Sequence, residues 1–349
     1  MPTLPANVKI KIAILLPLTG PNAALGQALL NAAQLAIFDV GDNHFELMPR
    51  DTGNGEDIKV AEIARDAVAD GARLLIGPLF AGNVAAVKPI AAQQGVNVLA
   101  LSTDTALAGN GIYIMGFAPG AQVDRVMTYA HAHGMHRFAA LIPVSAYGDL
   151  VADEFGRVIA RNSDTLIDIE RYDTAKHSRE DAIAALAAKR DQIDALFLPE
   201  GGDELNAVVA QLSLNGFDSQ KIKLLGTGLW DADNLGGSAS FLTGGWYAAS
   251  DPHMRQNFLA SYRNAYDSDP PRLATLAYDA TALAAILIRH GGHFDRAALT
   301  NPNGFSGIDG IFRLTNQGLV ERGLAIDEVT PVGGRAIDPA PATFAGKPH

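Results

Sequence analysis

Short β-branched runs alternate with helical stretches from Lys9 onward, and near residue 112 the alternation starts again. This doubled rhythm restricts the possible folds more than any other feature. Residues 8–16 read as a buried strand. Leu25, Leu29, Ala32, Ala33, Ala36 and Ile37 then recur at helical spacing. Strands are expected at 44–49, 73–76 and 96–101, with helices at 58–69 and 84–93. Such alternation implies right-handed crossovers and a parallel sheet. The second block has expected strands at 112–115, 138–142, 166–172, 195–198 and 222–225. Its helices are expected at 122–133, 148–161, 179–190 and 203–214.

The blocks also share wording. Leu15-Leu16-Pro17-Leu18-Thr19 answers Leu141-Ile142-Pro143-Val144-Ser145, and each run is followed by a Gly and a helix. Leu75-Ile76-Gly77-Pro78 answers Phe197-Leu198-Pro199-Glu200. Any strand-to-helix turn collects Pro, Gly, Ser and Thr, but the restart of a whole block argues for duplication into two α/β lobes. The remainder differs in texture. Residues 254–266 and 273–289 are helical, and short runs around Asn316-Gln317-Gly318, with further runs at 319–329 and 334–337, indicate a β-hairpin. The Pro-rich stretch 340–349 is expected to fray.

Composition narrows the function. The chain has 349 residues, 48% hydrophobic and 19% charged, enough for a sizeable core and about two domains. A net charge of −11 disfavours nucleic-acid and anionic-membrane binding. With no Cys, thiol catalysis, disulfides and Cys-based zinc sites are excluded. No apolar run is read as reaching the ~18–20 residues of a membrane span. The first seven residues lack the basic and apolar regions of a signal peptide.

In open α/β sheets ligands bind beyond the carboxyl ends of the strands, where helix N-termini offer free N–H groups. Two such lobes face to face would make a cleft. The candidate loops carry Thr19, Ser102, Thr103, Thr105, Ser145 and Thr227 as hydroxyls. They also carry Phe80, Tyr147 and Trp230 as large side chains and Asp104 and Glu200 as acids. Taken singly, a Ser, Thr or Asp here is as well explained as a helix cap. As a set, they describe a polar-rimmed pocket with aromatic walls.

Catalytic constellations are missing. Gly226-Thr227-Gly228 lacks the third Gly of a dinucleotide fingerprint, and no Gly-Lys-Ser or Gly-Lys-Thr marks a P-loop. No Gly-x-Ser-x-Gly elbow occurs. The stretch 231–236 begins like a calcium loop but has Leu235 and Leu242 where oxygen ligands belong. His131, His133 and His136 lack the spacing of a helical zinc pair and fall where a helix ends, favourably placed for its dipole. No metal and no cofactor are therefore expected.

The layout resembles the type I periplasmic binding proteins, specifically the branched-chain amino acid (leucine-binding) receptor group. The resemblance rests on Ile14-Leu15-Leu16-Pro17-Leu18-Thr19-Gly20-Pro21 with Gly26, on Leu75-Ile76-Gly77-Pro78, on Ser102-Thr103-Asp104-Thr105, on Ala146-Tyr147-Gly148 and on the late Gly307–Gly318 hairpin. It spans about residues 8–339. Residues 20–27, Arg50-Asp51-Thr52, 225–231 and 300–305 further resemble the alphaproteobacterial penicillin-binding protein activators.

The resemblance implies a non-enzymatic, periplasmic protein with two Rossmann-like lobes joined by a three-segment hinge. The expected division is 8–118 plus 251–321, and 119–250 plus 322–339, with crossings near 117–120, 248–252 and 321–324. Ligand or partner binding would shift an open–closed equilibrium about them. An export or lipoprotein segment would precede this domain and be missing from the chain. In the family's amino-acid clamp, the second-loop Ser position falls on Ala81 and the third-loop Thr on Thr105. The second-lobe aromatic falls on Tyr147. A second aromatic position falls near Gly202, and the acid that anchors the ligand's amine falls near Gly228, so the clamp is incomplete. Asp104, Glu200 or Asp231 could substitute.

The expected ligand contacts are Thr19, Phe80, Ala81, Gly82, Ser102, Thr103, Asp104, Thr105, Tyr147, Glu200 and Trp230. The expected function is an activator-type regulator of peptidoglycan synthesis with a murein synthase as partner. The alternative is an ABC-transporter solute receptor, with a permease as partner and an amino acid or other small solute as ligand.

Overall fold

The computed structural model describes residues 5, 8–41, 43–117, 119–173, 178–230, 239–250 and 252–344. The chain divides into two compact units. Unit 1 takes Met1–Ala118, Pro252–Gly323 and Ala342–His349, and unit 2 takes Pro119–Asp251 and Leu324–Pro341.

Unit 1 opens with β1 (Ile10–Leu16), α1 (Ala23–Val40), β2 (Phe45–Asp51), α2 (Asp57–Ala69), β3 (Ala72–Ile76), α3 (Ala81–Gln94), β4 (Asn97–Ala100) and β5 (Ile112–Ile114). Its parallel sheet runs β2-β1-β3-β4-β5. β1 is flanked on both sides, so it reads as a continuous apolar run and buries every residue except Lys11. α1 follows because Leu29, Leu30, Ala32, Ala33, Leu35 and Ala36 fall on its buried side, and it stops where Gly41 turns left-handed at φ 65°. By length and composition α1 would also pass as a membrane span, contrary to the sequence reading. In the fold it packs against the helix Ala274–Arg289.

Unit 2 repeats the pattern with α4 (Pro119–Ala132), β6 (Arg137–Pro143), α5 (Ala146–Asn162), β7 (Thr165–Tyr172), α6 (Arg179–Ala187), β8 (Ala195–Phe197), α7 (Gly202–Leu214), β9 (Lys223–Gly226), α8 (Ala239–Leu242) and β10 (Trp246–Ala249). The chain continues with α9 (Pro252–Tyr266), α10 (Ala274–Arg289), α11 (Arg296–Leu299), β11 (Phe305–Gly307), β12 (Gly310–Leu314), β13 (Val320–Arg322), β14 (Ala325–Thr330) and β15 (Gly333–Asp338). The second sheet runs β15-β14-β10-β9-β8-β6-β7. Its parallel part, read as β7-β6-β8-β9-β10, places the block's second strand first, its first strand second, and the rest in order. Unit 1 has the same order. The two-unit α/β architecture with parallel-sheet cores is thus the one expected, and in both units the order reverses at the opening strand, where such sheets hold ligands.

The duplication reaches single residues. A Cβ on Gly26 would lie 2.0 Å from the Pro17 carbonyl oxygen, and one on Gly148 would lie 1.9 Å from that of Pro143. In both units the first helix approaches a proline carbonyl at the strand's end, Pro143 as the last residue of β6 and Pro17 one residue past β1, so closely that only glycine fits.

Three details differ from the sequence reading. The late hairpin is a three-stranded antiparallel sheet, β11-β12-β13. The single run expected over 319–329 is two strands, β13 in that sheet and β14 in the seven-stranded one, because Gly323 interrupts it. The stretch expected to fray is packed as far as Phe344, which is 4% exposed and lies under the Arg313 guanidinium, 4.8 Å from the ring centre.

The Gly307-Ile308-Asp309-Gly310 motif docks this small sheet onto α10. The Ile308 N–H donates to Asp279 Oδ1 (2.7 Å), and Asp309 Oδ2 accepts from the Thr275 hydroxyl (2.6 Å) and from Arg272 (2.9 Å).

Gly26→Ala and Gly148→Ala should each destabilise the fold by at least about 1–3 kcal/mol through overpacking. Gly156→Ala, inside α5 with nothing within 4 Å of its Cβ, should be neutral or mildly stabilising. Urea unfolding of the three variants checks this, and equal stability of all three would refute it.

Candidate functional site

The site-forming loops follow the strands of each unit at their carboxyl ends. In unit 1 the first of them is anchored by Asp51, the last residue of β2. Asp51 Oδ1 accepts from the N–H groups of Leu18 (2.8 Å), Thr19 (3.1 Å) and Gly53 (2.8 Å). The Thr19 hydroxyl donates to Oδ2 at 2.6 Å. Burial disfavours the charged carboxylate, but these hydrogen bonds outweigh it and hold the group below its ordinary range. Thr19 was expected to touch ligand; its hydroxyl is engaged in fastening the loop.

The second loop leads into α3. Phe80 is half-buried against the unit 1 core and precedes the helix without a side-chain cap. Ala81 and Gly82 form the helix start, where the first N–H groups lack intrahelical acceptors. Asn83, 2% exposed, was not singled out from the sequence. Its Nδ2 donates to the Gly55 carbonyl (2.7 Å) and to Asp57 Oδ1 (2.8 Å), tying this start to the loop before α2.

The third loop follows β4. Ser102 is buried and its Oγ accepts from the Asp104 N–H at 3.1 Å. Asp104 caps the short helical turn over Thr105–Leu107, accepting from the Ala106 N–H at 3.0 Å. Asp104 therefore fits the capping alternative better than an amine anchor. Thr103 and Thr105 are exposed. Gly116 explains the loop's course, since a Cβ there would lie 2.2 Å from the Ser102 carbonyl oxygen.

In unit 2 Ser145 caps α5, accepting from the Gly148 N–H at 2.9 Å. Tyr147, in the first turn, places its hydroxyl 3.1 Å from that of buried Thr227, at the end of β9. Burial pushes the Tyr147 hydroxyl up to about 12, so it is a neutral hydrogen-bonding group at physiological pH.

Glu200, after β8, accepts from the Tyr172 hydroxyl at 2.5 Å. Arg179 lies over the Tyr172 ring at 5.6 Å and pairs with Glu204 at 2.6 Å. Burial raises the Glu200 carboxyl above its ordinary value, with the Glu204 charge adding to it and the Tyr172 hydrogen bond and Arg179 opposing it. Tyr172 and Arg179 were missed because they sit on a strand and at a helix start, where periodicity assigns a structural role.

Trp230 requires a correction. It is fully buried in the unit 2 core, packed so that a Cβ on Gly226 would meet its ring at 2.2 Å. It supports the floor of the loop and is not a pocket wall. The incomplete clamp has a physical basis as well. The Gly228 N–H donates to Gln122 Oε1 at 2.6 Å, and a Cβ at Gly228 would lie 3.1 Å from the same oxygen. No acid side chain fits there without displacing Gln122. Gly202 has open space around it but a left-handed backbone at φ 59°. Asp231 and the calcium-like stretch 231–236 lie outside the described residues.

The model of the family "periplasmic binding protein" matches residues 9–317, and the chain belongs to that family. The family is periplasmic and non-catalytic, and the chain has its type I two-unit fold. Two curated relatives are the uncharacterized protein RP748 of Rickettsia prowazekii, 22% identical over 234 residues, and the Leu/Ile/Val-binding protein BraC3 of Rhizobium johnstonii, 24% identical over 233. These matches cover 64% and 61% of this chain and 62% of each relative.

Among solved structures, a Rhodospirillum rubrum protein provisionally assigned to branched-chain amino acid ABC transport superposes with a TM-score of 0.83 at 19% identity, covering 95% of this chain and 100% of the other. An ABC-transporter solute-binding protein from Rhodopseudomonas palustris, in complex with 3,4-dihydroxybenzoic acid, gives 0.67 at 19%, covering 95% and 96%. A substrate-binding protein from Desulfitobacterium hafniense in complex with Leu gives 0.67 at 18%, covering 94% and 100%. The activator reading is overturned: the three solved structures are all named for ABC transport, and none of them is named for peptidoglycan synthesis.

Because the fold raises the Glu200 carboxyl, native stability contributed by this group falls as pH rises above the unfolded value of about 4.3. Glu200→Gln, which keeps an acceptor for Tyr172, should melt higher than the parent at pH 7.5, with the gap closing toward pH 4. A gap independent of pH, or reversed in sign, would refute the burial argument.

Proposed function

We propose that the protein is the solute receptor of an ABC transporter and takes a small carboxylic acid, with the transporter's permease as its partner. The observation that carries this reading is the pairing of an uncapped helix start at Ala81 and Gly82 with a hydroxyl-rich loop at Ser102, Thr103 and Thr105, all at strand ends of one sheet. Helix N-termini and hydroxyl donors suit a carboxylate. The named ligands of two relatives, leucine and 3,4-dihydroxybenzoic acid, share that group.

In unit 2, Tyr147 and Thr227 place neutral hydroxyls at the corresponding strand ends. With Gly228 where an acid is expected, Glu200 is, among the described residues, an acid at the unit 2 strand ends that could pair with an ammonium. A buried ammonium without a carboxylate loses its main compensation for desolvation. Amino acids should therefore depend on Glu200, and aromatic acids without an amine should not.

The test is thermal denaturation with leucine, isoleucine, valine, benzoate, 4-hydroxybenzoate and 3,4-dihydroxybenzoate. A true ligand at 100 times its Kd should stabilise the native state by about 2.7 kcal/mol. Thr105→Ala should weaken its binding by about tenfold, the size of a lost hydrogen bond to a charged group. Absence of a saturable shift with every one of these acids would overturn the proposal.

A further inference from the structure

At the amino ends of the unit 2 strands, opposite the ends that carry Tyr147 and Glu200, two histidines converge on one buried carboxylate. His131 lies in the last turn of α4, and Gly134, at φ 84°, turns the chain so that His136 directly precedes β6. β6 and β7 pair in parallel with Arg137 opposite Thr165, so His136 and Asp164 stand side by side one residue earlier. The Thr165 N–H donates to the His136 carbonyl at 2.8 Å and fixes that register. His131 Nδ1 lies 2.8 Å and His136 Nδ1 3.0 Å from the same oxygen, Asp164 Oδ1.

Helix-end electrostatics accounts for His131 alone. It does not account for a second ring on the same oxygen. The Asp164 side chain is 2% exposed, and its Oδ2 accepts no hydrogen bond from a described residue. A buried carboxylate with an unused oxygen beside two imidazoles is short of positive charge. The three donor atoms lie within 4.8 Å of one another. Tetrahedral zinc with bonds of 2.0–2.1 Å needs donor separations of about 3.3 Å. The two nitrogen–oxygen distances are within a few tenths of that, and the rings, 37% and 57% exposed, have room to adjust. His133 is not part of the set, because its Nδ1 lies 2.8 Å from the Tyr129 carbonyl.

We propose that His131, His136 and Asp164 bind a divalent cation of the zinc class, with a remaining coordination position open to solvent. Two imidazoles and one carboxylate suit zinc, nickel or copper, whereas calcium and magnesium require oxygen ligands throughout. The site is independent of the solute reading.

The test uses the chain without a histidine tag, stripped with a chelator and then titrated with zinc by calorimetry and with cobalt by visible absorption. The expected result is one zinc per chain and a cobalt d–d spectrum of low coordination number. His136→Gln and Asp164→Asn should each weaken zinc binding by more than about tenfold, since even outer-shell changes cost that much. His290→Gln, remote in sequence and on α10's end, should leave it unchanged. If Asp164→Asn does not fold, His131→Gln, on an exposed ring, replaces it. No zinc binding, or undiminished affinity in His136→Gln, would overturn the proposal and leave the trio as a hydrogen-bonded cluster.

Discussion

In each unit a helix glycine lies against a proline carbonyl at the end of the opening strand, so closely that no Cβ fits between them. Gly26 on Pro17 and Gly148 on Pro143 fix where the first helix begins and how the loop before it is aimed. The other strand-end features are built on that placement. Asp51 gathers the N–H groups of Leu18, Thr19 and Gly53 only because the loop after β1 is held against β2. Ser145 caps α5 only because Gly148 lets the helix start so close to the strand. A methyl group at either glycine would move the donors that a ligand meets.

Much of this was legible in the sequence, and the reasons are specific. β1, β3, β6 and β8 are apolar runs bounded by Pro and Gly, so their ends and the loops after them could be placed. β10 could not. Trp246–Ala249 is four buried residues without periodicity, and its partners β9 and β14 are distant in the chain. Trp230 reads as a pocket wall because a loop Trp often is one, but two glycines, Gly226 and Gly245, make room for it in the core. The His131–His136–Asp164 cluster was invisible for a different reason. The spacing of the histidines is wrong for a helical pair, and the third group arrives through strand register, which no local pattern encodes.

The family explains the architecture and leaves the chemistry to the loops. Positions expected to complete an amino-acid clamp are occupied by Ala81, Gly202 and Gly228, and Gln122 holds the backbone at the last of these. Acidity in unit 2 is displaced to Glu200, which Tyr172 and Arg179 keep in a partly buried network. Such differences change the chemistry of the loops without altering the fold, as expected where function resides in sites grafted on a common scaffold.

The central claim is that the carboxyl-end loops of the unit 1 sheet hold a small carboxylic acid. Hydrogen exchange of the full chain, with and without the pooled acids at saturating concentration, tests it most directly. The account predicts slowed exchange at the start of α3 and in the loop over residues 101–107. Unchanged exchange there, or protection restricted to the amino ends of the strands, would contradict it.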